Sequence, residues 1–317
     1  MALVSCGPGS KTKNALRVGF NSWVGYSALY IAKKEGLFDG LGLDVTLTDS
    51  EKLPDRIAAL GGGNFDVVGA TVDSSVVTAA ANVPGKIIFA FDSSRGADGI
   101  IAAPGIKSIA DLKDKRIAVE EAFTDHFMLL KVLAQHGVGA RDFNLVGLTA
   151  DNGAVAFTRG AVDAAAIYEP YLSQATKRHG SHIIYTTKDE PPYIFDVLYA
   201  PDRVIASRRE LLEKFLRALI KANDLWEKSP TSYQAFVAKS WDWKEPEVAA
   251  AVEEIQIATS QRQKEWFLPQ NSPILTAADA AARLWLDSGV VKVSLNGAEL
   301  VDASLVKSAL ASGDIGG

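Results

Sequence analysis

Aromatic rings and carboxylates stand where the apolar runs of this sequence stop. Trp23 and Tyr26 follow the run 16–20, Asp73 follows 65–70, and Tyr168 with Glu169 ends 162–167. After Val119 comes Glu120-Glu121-Ala122-Phe123-Thr124-Asp125-His126, and Asp196 interrupts the apolar stretch Ile194, Phe195, Val197, Leu198. Ring faces attract cations and carboxylates make charge-assisted hydrogen bonds. The set Trp23, Tyr26, Asp73, Glu121, Asp125, Tyr168, Glu169 and Asp196 therefore suits a small organic cation or zwitterion, such as an amine, a guanidinium or a taurine-like amino-sulfonate. An anion beside the 120–125 loop would meet like charge at about 1–4 kcal/mol per close pair. Arg95 is the basic residue nearest to those strand ends. Plainer roles compete: Asp73 and Asp125 as helix caps, Glu120 and Glu121 in solvent, Glu169 in an ion pair, Asp196 as hinge wiring, Trp23 as a cap on the core.

The elements that must position these residues repeat. Gly63-Asn-Phe-Asp-Val-Val-Gly-Ala-Thr-Val-Asp73 and Gly160-Ala-Val-Asp-Ala-Ala-Ala-Ile-Tyr-Glu-Pro-Tyr171 share one pattern, 97 residues apart (160 minus 63). Each reads as a helix stopped at Gly, a turn on Asp, and a buried strand whose carboxyl end opens on a surface. Periodicity places strands at 16–20, 43–47, 65–70 and 86–91 with helices between them. A second βα series runs over 100–185, and segments near 100–103 and 198–204 cross between the two series. From 207 onward the pattern is helical, at 209–227, 231–239, 245–258 and 277–288. The expected fold class is α/β: two doubly wound lobes joined by two hinge crossings, with the helical C-terminal region packed on the first lobe. The expected division is 15–101 plus 202–317 for the first lobe and 102–201 for the second. Ligands of such open sheets sit outside the strand carboxyl ends, here in a cleft between lobes.

A length of 317 residues suits two lobes, and 48% hydrophobic with 22% charged residues is ordinary for a globular chain. The net charge of −5 argues against a nucleic-acid partner. The single cysteine, Cys6, excludes an internal disulfide and any Cys-based metal cluster. Its setting, Leu3-Val4-Ser5-Cys6-Gly7 before a polar tether, is that of a lipobox, so residues 1–14 read as a trimmed lipoprotein signal end with Cys6 as lipid anchor.

Three stretches carry a family likeness: Tyr30-Ile-Ala-Lys-Lys-Glu-Gly-Leu-Phe38, Ile109-Ala-Asp-Leu-Lys-Asp-Lys-Arg-Ile-Ala-Val119 and Tyr168-Glu-Pro-Tyr171. In order and spacing the chain resembles the solute-binding proteins of ABC importers in the nitrate/sulfonate/taurine group, from about Leu16 to Asp302. The resemblance implies a periplasmic-binding-protein fold and a location in the periplasm or lipid-anchored on the outer face of the cytoplasmic membrane. It further implies a monomer that delivers a small solute to a permease with its ATPase, and that Ser22-Trp23-Val24-Gly25 meets the ligand. Those proteins include binders of anionic alkanesulfonates and nitrate, which is the alternative to a cationic cargo.

The same fold also hosts an enzyme similar to a thiamine-pyrimidine synthase. A catalyst would need a nucleophile and base in the cleft, and only His126 of the four histidines falls near one. Asp125-His126 are adjacent and point apart on a helix, so no metal spacing is present. The sequence therefore reads as a binder without catalytic residues, metal or cofactor. A regulator's sensing domain is disfavoured, because no DNA-binding segment accompanies it.

Overall fold

The computed structural model describes residues 14–139 and 142–312; Cys6 lies outside them. The first lobe opens with β1 (Ala15–Phe20), α1 (Ser27–Lys34), α2 (Leu37–Gly40), β2 (Asp44–Asp49), α3 (Leu53–Gly61), β3 (Val67–Thr71), α4 (Val72–Ala80) and β4 (Gly85–Ser94). The second comprises β5 (Asp98–Ala102), β6 (Arg116–Val119), α5 (Thr124–Gln135), β7 (Asn144–Gly147), α6 (Ala150–Thr158), β8 (Ala164–Tyr168), α7 (Tyr171–Ala175) and β9 (His182–Thr186). The chain then returns through β10 (Phe195–Pro201) to α8 (Asp202–Lys228), α9 (Pro230–Trp241), α10 (Glu245–Glu253), β11 (Ile255–Ile257), α11 (Ser260–Phe267), α12 (Pro273–Ser288) and α13 (Ala303–Ala311).

Two sheets result, six strands in the order β11-β4-β10-β3-β1-β2 and five in the order β7-β6-β8-β5-β9. In each, a central strand runs parallel to its neighbour while the strand that carries the chain between lobes runs antiparallel: β10 beside β3 and β4, β5 beside β8 and β9. β3 and β5 are buried throughout, as central strands covered on both faces must be.

The paired Gly–Asp stretches have a physical role that the structure makes explicit. Gly63 and Gly160 both sit at positive φ (72° and 75°), where a helix ends in a left-handed residue and reverses toward a strand. The Asp three residues on then clamps the neighbouring strand. Asp66 accepts from the backbone N–H of Arg17 at 2.9 Å and from its guanidinium at 3.0 and 2.9 Å. Asp163 holds Arg116 in the same way, at 2.9, 3.1 and 2.9 Å. One arginine on β1 and one on β6 thus lock the register of the central parallel pair in each lobe. Burial pushes the Asp66 carboxyl up, but the hydrogen bonds and charge of Arg17 more than offset this and hold it below its ordinary value.

The crossings fall earlier in the chain than the sequence suggests. β4 runs on to Ser94 and β5 starts at Asp98, so 95–97 is the outward crossing, and β10 lies wholly in the first sheet, so the return is 187–194. The two crossings are wired side by side: Ser94 N–H donates to Ile194 O at 3.0 Å, and Thr187 Oγ1 pairs with Ser94 Oγ at 2.6 Å and accepts from Gly96 N–H at 2.8 Å. The expected helix 245–258 ends at Glu253, and 255–257 instead extends the edge of the first sheet against β4. α11 and α13 were not foreseen.

The C-terminal helices are not confined to the first lobe. Ile274, Ala277 and Ala278 of α12 join the first apolar core, while Ala281, Ala282 and Trp285 of the same helix join the second. Trp285 is fully buried, lies 5.7 Å from Phe127 and 5.5 Å from His126 between ring centroids, and donates Nε1–H to Asp73 O at 3.0 Å. α12 is therefore a strap across both lobes. No helix among the described residues is long and apolar enough to cross a membrane.

Candidate functional site

Strand carboxyl ends from both sheets converge on one small internal cavity of about 30 Å³, room for roughly two waters. The first lobe supplies Asn21, Trp23 and Tyr26 from the turn after β1, Arg56 from α3, Thr71 at the end of β3, and Ile194 and Asp196 at the start of β10. The second supplies Asp98 from the start of β5, Phe123 and Thr124 from the turn after β6, and Tyr168 from the end of β8. The walls touch. Trp23 meets the Tyr168 ring edge-on at 5.7 Å, and Thr71 Oγ1 lies 2.8 Å from Thr124 Oγ1. The two walls therefore close on each other over the cavity.

Of the residues expected from the sequence, Trp23, Tyr26, Tyr168 and Asp196 line this cavity. Asp73 and Asp125 are buried beside it, in the first turns of α4 and α5. Asp73 Oδ1 accepts from Thr124 Oγ1 at 3.4 Å, Asp73 Oδ2 has no protein partner, and neither has either oxygen of Asp125. Glu169 is turned away to cap α7, accepting from Ser173 N–H at 3.2 Å and Ser173 Oγ–H at 2.8 Å. Glu121 is exposed and lies outside the lining, because β6 ends at Val119 and no strand alternation governs the following pair. Arg95 is likewise exposed.

The residue that changes the chemistry is Arg56. Leu53, Arg56 and Leu60 form the buried face of α3, and Arg56 is 0% exposed. Its Nη1 donates to Ser50 O at 2.6 Å and to Glu51 O at 2.7 Å, which anchors the guanidinium in the loop before the helix. Nε and Nη2 have no protein partner. Burial lowers its pKa, yet an arginine stays charged in a protein. A buried guanidinium with an unpaired Nε/Nη2 edge carries a desolvation cost that two acceptor oxygens, such as those of an oxyanion, would offset by accepting its two hydrogen bonds.

Glu51 and Glu120 are the carboxylates whose charge acts on this cation, which forms no ion pair among the described residues; further carboxyls stand at or behind the cavity. Asp92 and Asp196 are direct partners across β4 and β10, beside a bulge in the pairing. Trp23 Nε1–H donates to Asp92 Oδ2 at 3.2 Å, and Tyr26 Oη–H donates to Asp196 Oδ1 at 2.7 Å. Gly25 lets Asp92 come so close: a Cβ there would sit 1.6 Å from Asp92 Oδ2. Burial pushes both carboxyls up, Asp196 to about 8; the charge of Asp196 adds to the rise at Asp92, and those of Asp98 and Asp73 to the rise at Asp196. Burial likewise raises Asp98 to about 6 and Asp73 to about 7. Near neutrality much of this wall is carboxylic acid rather than carboxylate, so it donates hydrogen bonds and repels an anion little. His126 is buried neutral against Trp285, its Nδ1 accepting from Ala122 N–H at 3.2 Å, with desolvation lowering it to about 4.

The family model described as "NMT1/THI5 like" matches residues 23–232. The chain is 27% identical over 226 residues to a putative aliphatic sulfonates-binding protein of Bacillus subtilis (strain 168), covering 69% of this chain and 67% of that one. It is 24% identical over 287 residues to a putative aliphatic sulfonates-binding protein of Escherichia coli (strain K12), covering 86% and 88%. The solved alkanesulfonate-binding protein SsuA from Xanthomonas axonopodis pv. citri, bound to MOPS, matches with a TM-score of 0.75 at 22% identity over 91% of this chain and 98% of that one. At that identity the likeness is one of fold.

Proposed function

The chain belongs to the NMT1/THI5-like family, and on that footing we propose that it is the extracytoplasmic solute-binding component of an ABC importer whose cargo is a small organosulfonate. One observation carries the cargo: the fully buried Arg56 lines the cavity with Nε–H and Nη2–H unpaired. A sulfonate offers two oxygens to that edge, and Thr71, Thr124 and Asn21 supply further polar groups around it. The relatives described as binders of aliphatic sulfonates support this reading. Trp23, Tyr26 and Tyr168 then wall the organic part, and closure removes water from the ion pair.

The simple cation expected from the carboxylates does not suit this lining, because it would share a desolvated cavity with Arg56. A zwitterion keeps one supporting observation: Asp98 lines the same cavity as Arg56, so a taurine-like ligand could present its sulfonate to one and its ammonium to the other.

Calorimetric titration in Tris chloride tests the cargo with ethanesulfonate, taurine, nitrate and guanidinium. Sulfonate buffers are avoided, since they are themselves ligand candidates. Ethanesulfonate or taurine should bind at micromolar concentration or tighter and guanidinium not detectably; tight guanidinium binding without sulfonate binding would sink the reading. The permease with its ATPase as partner, a monomeric carrier that returns its cargo unchanged, and attachment through Cys6 belong to the same proposal. For the attachment, mass spectrometry of the membrane fraction should find an acyl-modified peptide carrying Cys6.

A further inference from the structure

With Asp196 kept as an acid by burial, Asp98 is the ionised carboxyl that shares the cavity lining with Arg56, and a bound sulfonate adds a second anion to that cavity. Asp98 lines the cavity from the second lobe and is 5% exposed. Around it stand Asp73 on α4, Asp92 on β4, Asp196 on β10, Asp125 on α5 and Glu169 after β8, with Tyr185 of β9 and Tyr193 of the return crossing as neutral neighbours. None of these carboxyls is in an ion pair among the described residues; their hydrogen bonds come from Tyr26, Trp23, Thr124 and Ser173. Arg56 is the basic side chain in the lining, and its Nη1 is committed to backbone carbonyls. Closing the lobes over a sulfonate adds one more negative charge that water no longer screens. A sulfonic acid is too strong to bring its own proton.

Resting on the sulfonate reading above, we propose that the anion is captured together with a proton from solvent, which Asp98 takes up as the lobes close on Arg56. Asp196 lines the same cavity but accepts from Tyr26 Oη–H within the first lobe, whereas Asp98 enters the cavity from the second lobe, the lobe opposite Arg56. In this closed cleft burial brings Asp98 to about 6; with the lobes apart it is less buried, so at neutral pH it is ionised in the free protein and free to accept. An anion placed in the same closed cavity raises it further. The linkage has a definite sign. When binding takes up a proton, affinity falls as pH rises, by up to tenfold per pH unit for one proton. The fall begins above the value of Asp98 in the open protein, which lies below the closed-cleft value of about 6, and continues up to its value in the complex.

Ethanesulfonate is titrated calorimetrically at pH 7.5 in triethanolamine and in Tris, whose ionisation enthalpies differ, and Kd is measured from pH 5.5 to 9. About one proton taken up per ligand, with Kd weakening about tenfold per pH unit from pH 6 upward, is the expected result. Tight binding with buffer-independent heat and a level Kd overturns the proton and leaves the sulfonate reading standing. Failure of ethanesulfonate to bind at any pH overturns that reading and this inference with it. Asp98→Asn should bring the uptake close to zero and flatten the slope. A slope that survives in Asp98→Asn but disappears in Asp73→Asn overturns the assignment to Asp98.

Discussion

Arg56→Gln is expected to weaken ethanesulfonate binding by at least about 30-fold and by as much as several thousand-fold. Truncating one partner of a buried charged hydrogen-bonded pair costs about 2–5 kcal/mol, and each 1.4 kcal/mol is tenfold in Kd. Glutamine keeps a donor that can still reach Ser50 O, where Arg56 Nη1 now donates, so the loop before α3 retains an anchor. The free protein should not be destabilised, because the variant removes a buried charge whose Nε and Nη2 have no protein partner. Thermal melting of the unliganded variant checks that it folds, and calorimetry reads the affinity. Arg56→Lys, which keeps the charge but loses the two-pronged edge, should fall between wild type and Arg56→Gln. A Kd within about threefold of wild type for Arg56→Gln would remove the anion receptor from the argument.

The same residue shows where the sequence becomes hard to read. The helix 53–61 is short and ordinary, and its arginine lies beside Lys52 and Asp55, as if on a solvated face. The signal that could have found it is periodicity: Leu53, Arg56 and Leu60 fall on one stripe, so a charged residue occupies a core-facing position. Such a residue is almost never buried without a function or a partner. Aromatic and acidic side chains announced themselves more readily because they interrupt apolar runs, and that visibility biased the expected cargo toward a cation.

The architecture was legible because its signals are local. The βα alternation and the paired Gly–Asp turns each depend on a handful of neighbouring residues. What failed depends on distant context. β4 was expected to end at Phe91, but Asp92, Ser93 and Ser94 continue it with their polar side chains buried between β10 and β11. Asp92 and Asp98 fall between the expected strand 86–91 and the expected crossing near 100–103, although Asp98 lines the cavity and Asp92 accepts from the lining Trp23. Ile255–Ile257 is a strand only because the edge of β4 is there to receive it. Glu121 belongs to the run of acids after Val119, and because β6 stops there it turns out to solvent.

The buried acids also set how the free protein responds to pH, and it should melt several degrees higher at pH 6 than at pH 8. In the unfolded chain an aspartate is ionised above about 4, whereas in the fold Asp73 keeps its proton to about 7, and Asp92, Asp125 and Asp196 are pushed up as well, chiefly by burial. Between those limits the folded state binds more protons than the unfolded one, so stability falls as pH rises. Each carboxyl still protonated across that range costs about 1.36 kcal/mol for every pH unit, roughly 2.7 kcal/mol from pH 6 to 8. His126 acts in the opposite direction: lowered to about 4, it contributes stability that is lost as pH falls below its ordinary 6.5. One histidine offsets only one of these acids, so stability still rises, more slowly, below pH 6, and the optimum lies toward the ordinary aspartate value of about 4. Calorimetric melts at pH 5, 6, 7 and 8 read this directly, and a melting temperature at pH 8 equal to or above that at pH 6 would show that the acids are solvated or paired in solution. Saturating ethanesulfonate should widen the gap between pH 6 and pH 8, because a ligand bound together with a proton stabilises the fold most where the proton is available.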